Sequence, residues 1–317
     1  MTQTRAWPTA RLAAALALGA GALPAAAQQA GQQAGPPIRD VRYDAGSAIS
    51  PSSATATVSA ATVPQAMDRL DRDAATVDVS LGAIYGEGTF GTGSTTTIWS
   101  SALGARVRLD DLTLSASLPW MRIRSRSTVF TGIDATPVLV APNTAAVKRT
   151  ADGIGDLTLG AAYTIAPAGS PVEIELSGRA KLATATRRSG LSSGENDYAV
   201  GADASLPLGA VTPFVSLTYR FLGDTALYEL RDGPAASAGA SFALGSDAYL
   251  LTSYHYARAA TRLVEDAHEL FAGASTRLAG TPLRLTGFTT AGLSHGAASV
   301  SAGLALSVGL RPGRGRE

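Results

Sequence analysis

The chain has 317 residues, a formal net charge of +1, 45% hydrophobic and 16% charged residues, 34 glycines and no cysteine. Without thiols there is no disulfide framework, cysteine nucleophile or Cys-ligated metal, and the balanced charge excludes the basic footprint of a nucleic-acid partner. So little charge on so glycine-rich a chain is unusual for a soluble surface and calls for an apolar medium around its outer face.

In chain order, the first predicted element is an export signal. Arg5 and Arg11 precede an unbroken apolar stretch from Leu12 to Leu23, which runs into Pro24-Ala25-Ala26-Ala27 and Gln28-Gln29. This is a charged n-region, an h-region and an A-x-A site, so residues 1–27 read as a cleavable signal peptide and the mature chain as secreted. About a dozen apolar residues fall short of the roughly 20 that a spanning helix needs. Removing Arg5 and Arg11 from the 26 basic residues leaves 24 against 25 acidic ones, a mature charge near −1. Beyond the signal no uninterrupted apolar run suffices for a helical span, which leaves a closed barrel as the way to cross a bilayer.

Residues 28–75 are rich in Gln, Ala, Ser, Thr and Pro and read as a mostly unstructured periplasmic segment. Within it, Met67, Leu70 and Ala74 recur at helical spacing among Asp68, Arg69, Asp71 and Arg72, with Pro64 suited to a first turn. A short amphipathic helix over 64–74 is predicted, placed in the periplasm in preference to a plug.

From Thr76 to Leu310 the sequence repeats one pattern: eight to twelve residues that alternate apolar with polar or small side chains, bounded by Gly, Pro, Asn or Asp. Twelve such runs are predicted as strands, near 76–86, 97–109, 112–122, 154–165, 172–183, 197–208, 212–222, 235–244, 247–257, 267–278, 282–293 and 298–310. The eighth, mostly Ala, Gly and Ser, carries the weakest signal. Connections mostly alternate long and short: 87–96, 123–153, 184–196, 223–234 and 258–266 are long and only the last of that set, near 294–297, is brief, while 110–111, 167–171, 209–211, 245–246 and 279–281 are short. Long outer loops, short inner turns and an even strand count describe an all-β, transmembrane, antiparallel up-and-down barrel over 76–310, with residues 311–317 as a C-terminal tail. Odd strands then run outward, and Tyr85, Trp99, Trp120, Tyr198, Tyr219, Phe221, Tyr254 and Tyr256 gather at the outer end as an aromatic girdle, with Tyr163 at the inner end.

Asp152-Gly153-Ile154-Gly155-Asp156-Leu157-Thr158-Leu159-Gly160-Ala161-Ala162-Tyr163 resembles the GxGD-L-x-L-G-x-x-Y strand of an outer-membrane family named for the meta-pathway of phenol degradation. Gly190-Leu191-Ser192-Ser193-Gly194-Glu195-Asn196-Asp197-Tyr198 resembles that family's glycine-rich loop, and the stretch from Thr212-Pro213-Phe214 to Tyr219-Arg220-Phe221-Leu222-Gly223 its following strand. The likeness is clearest over 150–223. It departs from the family where Ala183-Thr184-Ala185 stands in place of Pro-Thr-Gly and where the last strand lacks a terminal aromatic. The resemblance implies a transporter of small, often aromatic or hydrophobic, compounds across the outer membrane. It carries no catalytic residues.

If the apolar face of each run meets lipid, the other face lines the lumen, where charges collect: Arg106, Arg108, Glu173, Glu175, Arg179, Lys181, Asp203, Arg220 and Arg284. Both signs are present, which disfavours strong ion selectivity. Twelve strands lie between the filled interior of about eight and the open channel of about sixteen, so a lumen closed by side-chain pairs or a plug and one with a path both remain open. Other motifs count for less. Gly86-Glu87-Gly88-Thr89-Phe90-Gly91 fits GxGxxG but precedes no helix, so it reads as an outer loop. Ser253 with His255 lacks an acidic partner placeable from sequence, and His255, His268 and His295 read as loop-proximal. Asp266 with His268 lacks further metal ligands at a recognisable spacing.

The expectation is a non-enzymatic outer-membrane barrel without cofactor or metal that passes a small solute passively. Its partners would be outer-membrane lipid, the outer-membrane assembly machinery and the solute, and no nucleic acid. The alternative is a plugged structural or surface-binding barrel acting through its outer loops, above all residues 122–153.

Overall fold

A computed structural model describes residues 76–133, 137–141, 145–185, 189–224 and 229–310. The predicted signal peptide, the segment 28–75 with its helix over 64–74, and the tail 311–317 lie outside the described residues.

The strands in chain order are β1 (Thr76–Gly88), β2 (Thr96–Leu109), β3 (Leu112–Ser125), β4 (Thr128–Thr131), β5 (Pro137–Ala141), β6 (Arg149–Ile154), β7 (Leu157–Ile165) and β8 (Glu173–Leu182). They continue as β9 (Asp197–Ser205), β10 (Val211–Phe221), β11 (Gly233–Leu244), β12 (Ala248–Ala257), β13 (Ala267–Arg277), β14 (Leu283–Gly292) and β15 (Val300–Leu310). All but β4 and β5 belong to one antiparallel sheet, in which β6 and β7 are successive halves of a single wall position beside β3, giving a twelve-strand barrel. The sheet closes on itself: β1 pairs with β2 on one side and with β15 on the other, Leu81 lying opposite Leu306 and Tyr85 opposite Ala302. Closure leaves no edge in the ring except along β6, which pairs with β3 alone, and this lets the wall stand in a medium that offers backbone groups no hydrogen bonds.

All twelve predicted runs form wall strands, the Ala, Gly and Ser run at Gly233–Leu244 included. The period-two pattern sets their facing. On β1, Leu81 and Tyr85 stand outward while Ser80 and Ile84 are buried inside; on β10, Val215, Leu217, Tyr219 and Phe221 stand outward while Thr212, Phe214, Ser216, Thr218 and Arg220 are buried inside. Leucines exposed to half their surface and more, such as Leu81 at 60%, Leu103 at 56% and Leu304 at 62%, form the band that a lipid phase would cover. The girdle residues Tyr85, Trp99, Trp120, Tyr198, Tyr219, Phe221 and Tyr254 are all exposed on this outward face, as is Tyr163 at the end with the short turns. Each short turn uses a backbone that matches its tightness: Asp110 at φ 51° between β2 and β3, and Gly245 at φ 78° between β11 and β12, where a side chain would be strained.

Two differences from the sequence reading lie in the connection after β3. The run predicted as one strand over 154–165 starts earlier, at Arg149, and is broken by a bulge at Gly155-Asp156. Between the pairs Trp120↔Ile154 and Ser117↔Thr158, three residue steps on β3 match four on its partner. Gly155 is needed there because a Cβ would come within 3.0 Å of Pro119 Cγ, and its N–H donates to the Pro119 carbonyl at 2.8 Å. The predicted loop 123–153 also holds structure of its own: β3 continues to Ser125, and β4 and β5 pair as a separate hairpin.

The facing assignment predicts a sharp asymmetry between neighbours on β8. Leu176→Arg, on the outward face, should cost about 2 to 4 kcal/mol or block assembly, whereas Ser177→Arg, on the inward face between Glu175 and Arg179, should fold. Heat-modifiable gel migration and urea unfolding in lipid read both, and equal effects at the two positions would contradict the assignment.

Candidate functional site

The interior has two features that bear on function: a cap across the outer mouth and a charged wall below it. The β4–β5 hairpin forms the cap. Val129 and Leu139 join Phe90, Ile98, Met121, Ile123, Leu191 and Ala298 in one buried apolar cluster, and Val138 and Val140 join Leu222 and Leu230 in another. Of these partners, Ile98, Met121 and Ile123 belong to the wall strands β2 and β3 and the rest to the connections β1–β2, β8–β9, β10–β11 and β14–β15, and Thr261 in the β12–β13 connection donates to the Leu139 carbonyl at 3.2 Å. The hairpin therefore shares buried clusters or hydrogen bonds with residues of each of the other outer connections and lies over the lumen. The GxGxxG run supplies part of this seat. It is an outer turn as predicted, with Phe90 at φ 47° and Gly91 at φ 73°, and it buries the Phe90 ring in the cap.

What fixes the hairpin to the wall is Lys181. Its ammonium is 1% exposed, lies 2.9 Å from Asp197 Oδ2 and 3.5 Å from Asp156 Oδ2, and donates to the Thr131 carbonyl at the end of β4 and to the Ser193 hydroxyl, at 3.2 and 3.3 Å. Two carboxylates around one ammonium need further donors. Asp156 accepts from the Ser192 hydroxyl at 2.7 Å and the Ala185 N–H at 2.9 Å, and Asp197 from the Gly223 N–H at 3.0 Å. The bulge at Gly155-Asp156 is what brings Asp156 inward, to 1% exposure. The two glycine-rich segments that carry the family resemblance thus meet in one place and bind the hairpin, the Thr131 N–H also donating to the Leu191 carbonyl.

Of the predicted lumen residues, Arg106, Arg108, Lys181, Asp203, Arg220 and Arg284 are buried on the inward face, and Glu173, Glu175 and Arg179 are half-buried there. They are not one cluster. Lys181 belongs to the outer clasp. Arg179 and Arg220 flank Ala199 in register across β8, β9 and β10, and Arg220 donates to the Arg258 carbonyl at 2.6 Å. Glu173, Glu175 and Asp203 share the inner ends of β8 and β9, with Glu175 directly opposite Asp203. Arg106 and Arg108 stand at the inner end of β2, and Arg284 at that of β14, beside Ser275 and over the Tyr249 ring.

The structure also places residues that sequence reasoning left unassigned. His255 stands two residues from the outer end of β12, near the β12–β13 connection as expected, with its side chain turned inward. It is 1% exposed on the inner wall, its Nε2 lies 2.7 Å from Ser253 Oγ, and its ring meets the edge of Phe271, which stacks on Phe288 at 5.6 Å. Glu269 stands opposite His255 in register, yet among the described residues the ring bonds Ser253, and Glu269 Oε2 makes no hydrogen bond. Period-two parity was the signal that could have found the group, since Ser253, His255, Glu269 and Phe271 all occupy inward positions. Asp266 and His268 are separately engaged: His268 Nδ1 faces the Tyr254 hydroxyl on the outward side, and Asp266 accepts from the Ala259 N–H and the Tyr256 hydroxyl, both at 2.8 Å. Burial pushes the Asp266 carboxyl up, but those two donors and the charges of Arg231 and Arg258 outweigh it and hold it below the ordinary value.

No protein-family model matches the chain, and no curated protein matches it. Among solved structures, an outer-membrane channel from Pseudomonas putida F1 is similar with a TM-score of 0.56 at 14% identity, over 75% of this chain and 96% of that one. At that identity the barrel fold is what is shared. The translocator domain of the autotransporter NalP from Neisseria meningitidis gives a TM-score of 0.45 at 15% identity, over 79% of this chain and 92% of that one. A KdgM porin in complex with disordered oligogalacturonate gives 0.43 at 11%, over 75% and 99%. These two add nothing to the argument.

Two predictions follow from the cap. Lys181→Met leaves two buried carboxylates without their cation, a loss of about 3 to 5 kcal/mol for a buried pair; the hairpin should become open to protease while the barrel keeps its heat-modifiable migration. Because Asp266 sits below its ordinary value, its tie to Ala259 holds above the usual carboxylate range and is lost as pH falls through the folded value. Amide exchange at Ala259 should therefore quicken in acid, and Asp266→Asn should reproduce that quickening at neutral pH.

Proposed function

We propose that the chain is an outer-membrane channel that passes small solutes passively and that the β4–β5 hairpin closes its outer mouth in the state described. The observation that carries this reading is the pairing of a closed twelve-strand wall, apolar outside and polar inside, with a hairpin packed into shared clusters with the other outer connections. A barrel that served only as a scaffold would need no clasp of buried charge to position one loop over its lumen. The likeness to an outer-membrane channel supports the same reading, and with it location in the outer membrane, through the fold alone; export by the predicted signal peptide and insertion by the outer-membrane assembly machinery belong to the proposal.

The finer reading is membership of the meta-pathway family and solutes that are aromatic or hydrophobic. It is supported by the convergence of the two resembling segments on one clasp and by the Phe271–Phe288 stack on the inner wall. The chain is read as a channel and not as an enzyme, because Ser253 and His255 lack a hydrogen-bonded acid to complete a triad. One observation favours the surface-binding alternative: a cavity of about 530 Å³ between the β1–β2 turn and the β12–β13 loop, lined by Thr89, Gly91, Arg262, Val264, Glu265 and His295.

Planar-bilayer conductance separates the two. The wild-type chain should show rare, brief openings; Lys181→Met and a variant lacking residues 128–141 should both conduct for most of the record. Silence from all three would overturn the channel reading and leave the outer cavity as the functional surface.

A further inference from the structure

The outward positions of β3 read Leu112, Leu114, Ala116, Leu118 and Trp120, then Arg122 and Arg124. The change from apolar to charged falls at the level of the aromatic girdle, since Trp99 on β2 stands opposite Arg122 and Tyr85 on β1 opposite Trp99. Both arginines are exposed, and the Arg122 guanidinium lies 5.5 Å from the centre of the Trp120 ring. Residues two apart on a strand share a face and stand about 7 Å apart, so two guanidinium groups can reach one anion. Two further cations are held beside them. β6 begins at Arg149, opposite Ser125, and the turn before it is tied to the end of β3 by two hydrogen bonds. The Ala145 N–H donates to the Arg126 carbonyl and Arg126 Nε to the Ala145 carbonyl, both at 3.0 Å. Lys148 and Arg149 are exposed there. Against these four cations stand two carboxylates: Asp152, opposite Arg122, and Glu87 on β1, which accepts from the Tyr85 hydroxyl at 3.0 Å. The patch stays positive. Among the described residues none of the four cations is engaged in an ion pair.

We infer that this outward patch is a binding site for the phosphate groups of lipid in the outer leaflet. The inference rests on the outer-membrane location and not on conduction through the barrel. A wall whose apolar band ends at Trp99 and Trp120 puts Arg122 and Arg124 at headgroup depth, where the anionic groups of a lipid lie. A guanidinium presents a planar fork of donors that matches phosphate oxygens. Attraction to the Trp120 ring holds the Arg122 guanidinium at the wall, so less freedom is lost when a phosphate binds. Asp152 weakens the pull of Arg122. Arg124 stands between Thr97 and Thr150 in register and has no facing carboxylate, and Lys148 and Arg149 extend the positive field above it.

The test uses the full-length chain folded in a neutral maltoside detergent and counts retained lipid by native mass spectrometry. The probes are lipid A bearing both its phosphates and the same lipid with both removed. The wild type should retain the phosphorylated lipid several-fold more, and the excess should shrink as salt rises. Arg122→Gln combined with Arg124→Gln should remove most of the excess. Arg277→Gln, which deletes a cation at the inner end of β13, should leave it unchanged. Equal retention of the two lipids by the wild type, or an excess that the double variant keeps, would overturn the site. An excess that Arg277→Gln lowers as much would overturn it too, because any cation would then serve. Inorganic phosphate at millimolar concentration should not displace the lipid; full displacement would make free phosphate the ligand and overturn the lipid assignment. Loss of heat-modifiable migration by the wild type would instead overturn the membrane-barrel reading beneath the inference. Where the double variant fails to fold, Arg124→Gln alone should lower the excess by a smaller factor, and no change would again overturn the site.

Discussion

Lys181 satisfies two buried carboxylates, a serine hydroxyl and a backbone carbonyl from three separate stretches of chain. A buried ammonium is costly to desolvate and is stable only where its partners are complete. Here they are complete only if the bulge at Gly155-Asp156 turns Asp156 inward, the 189–196 loop folds back to offer Ser192 and Ser193, and β4 reaches Lys181 with the Thr131 carbonyl. Each requirement fixes a loop. Together they determine where the hairpin lies and hence whether the outer mouth is covered, so the state of the lumen depends on one group of charges at the rim.

The wall obeys a simpler constraint. Every backbone group in it must find a partner within the protein, and a closed ring of antiparallel strands provides one for all of them. Once the ring is closed, alternation of side chains decides everything else about the wall: what can meet lipid, what faces the lumen and where the aromatic belt falls. The interior then has to be polar enough to hold water or close enough to pair its own charges. The outer level is paired and apolar, with the clasp and the hairpin clusters; the inner level carries charged side chains from β2, β8, β9 and β14, none of which stands without a partner.

Between these levels lies a small group with no close counterpart elsewhere in the lumen: Ser253 and His255 bonded to each other, Glu269 opposite, and the stacked rings of Phe271 and Phe288. On the inner wall the rings offer apolar contact and the histidine and carboxylate offer polar contact.

The sequence by itself determined the barrel. Strand periodicity, loop alternation and the Gly, Asp and Pro punctuation located all twelve wall strands, and parity placed Arg106, Arg108, Glu173, Glu175, Arg179, Lys181, Asp203, Arg220 and Arg284 on the inward face, because facing in a strand is a local property with a period of two. Only the tertiary structure decided which of those residues meet. Lys181 finds Asp197 and Asp156 sixteen and twenty-five positions away, and Glu269 stands opposite His255, because register and loop folding bring together residues far apart in sequence. The hairpin over 128–141 was hidden for a further reason: its alternating residues are few, and what holds it is a set of loop contacts and a buried charge that no local pattern encodes.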